Sequence, residues 1–300
     1  MNTKTPLKIF IICALLPFIS SAQQKIVVNE VIKEMSKGTK NGYDVIIPEA
    51  MLREVKADFS HYIRKDSKSR AQEADGELFI IGAVNKNIFS TPFNIYAKLQ
   101  DADDGVKITA FFTPDDTLFV STADNEDQSS AIKKYLKEFA VTQYKDFVKK
   151  ELDSEKRKQK ELENQLEDLV NSKQKSERNI NEAKRTIENN NRDIESVAKQ
   201  ITAKEDEIIK QKGMVSTLKG SGGEEEKLSQ KNLKNLENDK RKLDKDKESM
   251  ARENDKMNSR MEDEQRNIET SMKLQLEKNT EIEKQKSKVQ KTEEKFNGIL

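Results

Sequence analysis

Apolar and polar residues alternate strictly at two places in the first half of the chain. Phe93, Ile95, Ala97 and Leu99 alternate with Asn94, Tyr96, Lys98 and Gln100, and Val106, Ile108, Ala110 and Phe112 repeat the pattern. A period of two sends successive side chains to opposite faces, so both stretches predict strands buried on one face. Shorter apolar runs at 26–31, 43–47, 78–84 and 118–120 predict four more strands. Asn41-Gly42, Asp103-Asp104-Gly105 and Pro114-Asp115-Asp116 supply turn chemistry around them. One helix is expected to interrupt the strands. Pro48 suits a first helical position, and Leu52, Val55, Phe59 and Ile63 then recur at helical spacing. A last helix opens in the acidic cluster 124–127, with Ile132, Tyr135, Leu136 and Phe139 on its apolar face.

The pattern then changes period. From 127 to 212 there is neither Gly nor Pro, so nothing in the sequence stops the last helix. Apolar residues recur in alternating steps of three and four, among them Val148, Leu152, Leu162, Leu166, Leu169, Ile180, Ala183, Ile187, Ile194, Ile201, Ile208 and Val215. Such a heptad is the signature of a coiled-coil seam. Polar residues interrupt it at Glu155, Gln159, Lys173, Ser176, Asn190, Lys204 and Gln211. Lys219-Gly220-Ser221-Gly222-Gly223 then breaks the helix, because Gly is unfavourable inside helices and favoured where they end. Glu224-Glu225-Glu226 suits a new helix N-terminus, and a second heptad runs through Leu233, Leu236, Leu243, Met250, Met257, Met261, Ile268, Ile282, Val289 and Phe296.

Folding one heptad back on the other about Gly222 matches Ile208 with Leu236, Ile201 with Leu243, Ile194 with Met250 and Ile187 with Met257. Asn190 then falls opposite Asn254, and a polar pair inside a seam is the usual device for fixing register. Lys204 against Lys240, Val197 against Lys247 and Ile180 against Glu264 are mismatches in this register. Gly220, Gly222 and Gly223 are therefore read as the hairpin turn, and Asn190 with Asn254 as the register pair. The second arm is expected to return Phe296, Ile299 and Leu300 to the globular part.

The predicted architecture is a signal peptide at 1–22, an α+β domain at 23–148, and an antiparallel coiled-coil hairpin at 149–300 turning at 219–224. The domain is expected to be an antiparallel sheet with two helices on one face, ordered two strands, helix, four strands, helix. In element order it resembles the TATA-binding-protein-like and helix-grip classes. Composition agrees with the division: charged residues make up 36% of the chain and aromatics 6%, and beyond Phe147 the only aromatic is Phe296. That region cannot build a thick core.

Lys4 and Lys8, the apolar run 9–19 and the small residues Ser20-Ser21-Ala22 have the form of a secretory signal cleaved before Gln23. The run is shorter than the ~18–20 residues that span a bilayer, so no transmembrane segment is expected after cleavage. Cys13 lies inside that run and is the only cysteine, so the mature chain is expected to lack disulfides. Formal charge is +1, which gives no basic footprint for nucleic acid.

His61 is the only histidine and falls on the solvent side of its helix. With one His and no mature Cys, zinc sites and His-activated nucleophiles are not expected. The Gly cluster lacks the Gly-Lys-Ser/Thr ending of a phosphate loop, and Asp101, Asp103, Asp104, Asp115 and Asp116 lack the spacing of a calcium loop. No cofactor and no enzymatic activity are therefore expected. The layout, a β body carrying helical arms that turn and return, resembles the periplasmic Skp-like chaperones, although this chain is longer and its charges balance. The resemblance implies a holdase. The residues by themselves point to an exported interaction or scaffold protein of the cell envelope, periplasmic or secreted, that meets protein partners through its rod and can self-associate. A small-ligand-binding domain tethered to the coiled coil is a third reading.

Overall fold

In the computed structural model, residues 25–300 are described. The signal-peptide reading lies outside them. A six-stranded antiparallel sheet comprises β1 (Val28–Met35), β2 (Gly38–Pro48), β3 (Gln72–Ala74), β4 (Glu77–Ala83), β5 (Phe93–Ala102) and β6 (Gly105–Thr113), in spatial order β1-β2-β6-β5-β4-β3. Helix α1 (Leu52–Ile63) interrupts the strands; α2 (Glu126–Leu218) and α3 (Glu224–Asn297) follow them.

The two alternating stretches are β5 and β6, neighbours that place Ile95 opposite Phe112 and Ala97 opposite Ala110. Their apolar sets face one core, which Val55, Phe59 and Ile63 of α1 and Ile132, Leu136, Phe139 and Tyr144 of α2 close from above. Edge-to-face packing of Phe59 on Phe139, with centroids 5.0 Å apart, joins the two helices. A smaller apolar cluster of Met35, Tyr96, Phe111 and Phe119 occupies the opposite face.

Several local expectations are corrected. Residues 118–120 are not a strand; Phe119 and Val120 are buried in a connection, where the Val120 N–H donates to the Phe112 carbonyl at 3.0 Å. The sixth strand is the short β3, whose three exposed residues left no apolar signal. Asn41-Gly42 lies inside β2, not in a turn: a Cβ at Gly42 would stand 2.7 Å from the Phe111 ring, so this glycine makes room for a cross-strand aromatic. Pro48 ends β2 instead of opening α1.

The domain also has one separate helix rather than two. Its second covering helix is the first third of α2, which runs unbroken for 93 residues. Asn125 caps its start by accepting from the Gln128 N–H at 3.0 Å.

The chain divides into two compact units. The first extends to Arg157 and takes in Lys286–Leu300. The physical reason is at the C-terminus. Ile299 is 3% exposed within the sheet–helix core, and Phe296 packs against it. Nearby, Lys295 bridges Glu49 at 2.6 Å and Glu151 at 3.2 Å.

The second unit, Lys158–Gln285, consists of α2 and α3 packed antiparallel. Bonds such as Asn179 to Glu264 and Lys240 to Glu205 run in opposite senses along the two helices. Every heptad position from Leu162 to Leu218 is buried or half-buried, including Lys173 and Lys204.

Candidate functional site

Two surfaces carry unusual side chains. The first lies within the globular unit, where the end of α1, the β4–β5 connection and α2 enclose a cleft of about 420 Å³. Tyr62 and Tyr135 form its aromatic wall, with Lys65, Asn85, Lys86 and Glu138 around it. The two rings stack at 4.5 Å. Each hydroxyl donates to the other residue's carbonyl, Tyr62 to Tyr135 at 3.0 Å and Tyr135 to Tyr62 at 3.4 Å. Burial pushes the Tyr62 phenol up to about 12, with Glu138 adding to the effect, and drives Tyr135 upward as well. Both phenols are therefore neutral donors already engaged with the backbone. They build a rigid wall, and neither is poised as an acid or base.

The second surface lies on the helical pair. In the seam, Asn190 Nδ2 donates to Asn254 Oδ1 at 3.0 Å, and Asn254 Nδ2 donates to Asn191 at 2.8 Å. Glu264, placed against Ile180 by the sequence register, instead accepts from Asn179 at 2.6 Å. Hydrogen bonds from Ser176 and Asn179 hold its carboxyl below the usual range. Lys204 and Lys240 avoid each other: Lys204 pairs with Glu207 at 2.7 Å and Lys240 with Glu205 at 3.1 Å. Long aliphatic stems let both heads leave the seam.

Apolar residues that the seam does not use remain outside. Met272, Leu274 and Leu276 are all exposed within five residues of α3, Leu276 at 71%. Leu274 and Leu169 line a groove of about 510 Å³ whose rim carries Asp168, Glu277 and Glu281 against Lys278. Ile209, Met214 and Leu228 are exposed toward the turn.

The turn residues stand between the two helices, with Gly220 at φ 92° and Gly222 at φ 65°. Gly222 N–H donates to the Glu226 carboxylate at 3.0 Å. His61 is exposed on α1 beside Asp58 and Asp146 in a shallow groove. Among the described residues no group of three His, Cys, Asp or Glu side chains is placed to hold a metal ion, and no helix is long and apolar enough to cross a membrane.

The sequence reading did not single out the tyrosine wall or the Glu49–Lys295–Glu151 cluster. Tyr62 and Tyr135 lie on different helices, and Glu49 and Lys295 are 246 residues apart, so no local pattern joins them. The exposed Met272, Leu274 and Leu276 were legible as apolar residues off the heptad. No protein-family model matches this chain, and no curated protein aligns with it at a significant level.

Proposed function

We propose that this chain is a non-catalytic interaction protein of the cell envelope, exported by its first 22 residues, in which a coiled-coil hairpin presents a surface to protein partners. The observation that carries this reading is Leu274, exposed at 41% in an acidic-rimmed groove that Leu169 also lines, while Met272 and Leu276 are exposed one turn apart on another side of α3. A solvated coiled coil needs no such residues, and an exposed apolar groove rimmed by polar side chains marks a contact site. A photo-reactive amino acid at Leu274 should crosslink a defined partner in intact cells. Adding Glu277→Lys and Glu281→Lys at the groove rim should abolish the product while the folded helix content stays the same. A crosslinking pattern unchanged by those substitutions would remove the reading.

A holdase is the second reading, supported by Ile209, Met214 and Leu228 exposed near the turn. It predicts suppressed aggregation of an unfolded outer-membrane protein at stoichiometric ratio, and an inert result would remove it. A ligand site in the tyrosine-walled cleft is the third. It predicts a raised melting temperature in a metabolite screen that Tyr62→Ala abolishes.

A further inference from the structure

The seam of the helical pair is symmetric about a single residue. Asn190 and its partner Asn254 each lie 32 residues from Gly222. Glu205 and Lys240 lie 17 and 18 residues away, and Asn179 and Glu264 lie 43 and 42. One of the two seam positions also continues through that point, while the other changes from three residues after it in α2 (Ile201 and Lys204) to four in α3 (Ser229 and Leu233). Ile201, Ile208, Val215, Gly222, Ser229, Leu236 and Leu243 follow one another at intervals of seven. If the linker between α2 and α3 became helical, that shared position would keep the two seams on adjoining faces of one helix. Two straightened copies laid antiparallel, with the two-fold axis at Gly222, would then reproduce between chains the pairings that each copy makes within itself.

The closed form is held by few features. Gly220 and Gly222 adopt positive φ, where only glycine is unstrained. Ser221 N–H donates to the Leu218 carbonyl at 3.1 Å, and Gly222 N–H to Glu226. No atom stands within 4 Å of a Cβ built on Gly220, Gly222 or Gly223. A side chain there meets no steric obstacle, and backbone conformation alone decides its effect.

We propose that two copies of this chain exchange their α3 arms, giving an antiparallel dimer in which each α3 pairs with the α2 of the other copy. The glycine linker is the switch between the closed and exchanged forms. Exchange of identical elements keeps the contacts and changes only the connection, so it needs little free energy. The short linker favours the closed form at low concentration through its high effective concentration.

The test uses full-length chains in a Cys13→Ser background, one carrying Ile194→Cys and the other Met250→Cys, positions each 28 residues from Gly222. The two are mixed unfolded, refolded together and oxidised. The exchanged form gives a covalent 194–250 heterodimer; closed chains give none. Gly220→Ala, Gly222→Ala and Gly223→Ala together should raise the heterodimer yield at least about tenfold over the glycine linker, since each left-handed position disfavours alanine by that order, and should double the solution mass. A folded triple variant that stays monomeric, or that dimerises without 194–250 bonds, overturns the proposal. If the triple variant does not fold, the glycine-linker chains refolded at high concentration decide: a minority heterodimer supports exchange, and its absence overturns it.

Discussion

Gly105 sits where β6 begins, and a Cβ there would stand 2.2 Å from the Ile47 carbonyl oxygen and 2.7 Å from Glu49 N. Neither atom can yield, because both belong to backbone. Gly105→Ala should therefore destabilise the globular unit by more than about 2 kcal/mol, read as a lower midpoint in urea unfolding. The tyrosines give a second test at this scale. All five have phenols raised above the usual value, in each case mainly by burial, with Tyr62 and Tyr96 at about 12. For Tyr96 a hydrogen bond to Asp116 adds to the effect. A phenol raised in the folded state contributes stability that is fully present below pH 10 and is lost as pH rises through the folded value. The folded protein should thus show less tyrosinate absorbance at pH 10 than the unfolded chain, and the difference should vanish as the protein unfolds at higher pH. Lys295 titrates in the same sense. Burial alone would lower its ammonium, but bonds to Glu49 and Glu151 outweigh that and raise it, so its clamp also weakens in alkali.

Within the helical elements, specificity comes from polar contacts inside an otherwise thin seam. Replacing Asn190 and Asn254 together by Leu should raise the melting temperature of the helical pair by several degrees, because two half-buried amides give way to apolar packing. It should also relax the register, so that disulfide trapping between positions 194 and 250 falls and products one heptad away appear. Glu264 answers to pH in the opposite direction from the tyrosines. Its carboxyl is depressed, so its contribution is present above the ordinary value of 4.5 and is lost as pH falls through the folded one. Amide protection factors around Asn179 and Glu264, corrected for the intrinsic exchange rate at each pH, should fall on acidification, and Glu264→Gln should flatten that response.

For the whole molecule, the C-terminus belongs to the globular core. Ile299→Ala should cost about 2–4 kcal/mol, and removing 297–300 at least as much, both measured on the full chain. The effect should appear in the near-ultraviolet signal of the tyrosines around Tyr144, far from the substitution in sequence. An unaltered melting profile would contradict the packing of Ile299 against the sheet and its helices.

Local repetition along the chain determined most of what was legible. Period two marked β5 and β6, whose one-sided burial imposes it, and the unbroken heptad marked α2, α3 and the pairing of Asn190 with Asn254. The Gly cluster marked the turn because few other residues adopt its backbone angles. Only the tertiary structure decided why Gly42 lies within a strand, that Pro48 closes β2, and that β3 exists without an apolar pattern. It alone joined Tyr62 to Tyr135 and returned Lys295 and Ile299 to Glu49 and the core. Those features depend on what the chain meets across space, such as the Phe111 ring over Gly42. A periodic sequence encodes which face of an element is buried, whereas the neighbour that buries it is fixed only when the elements assemble.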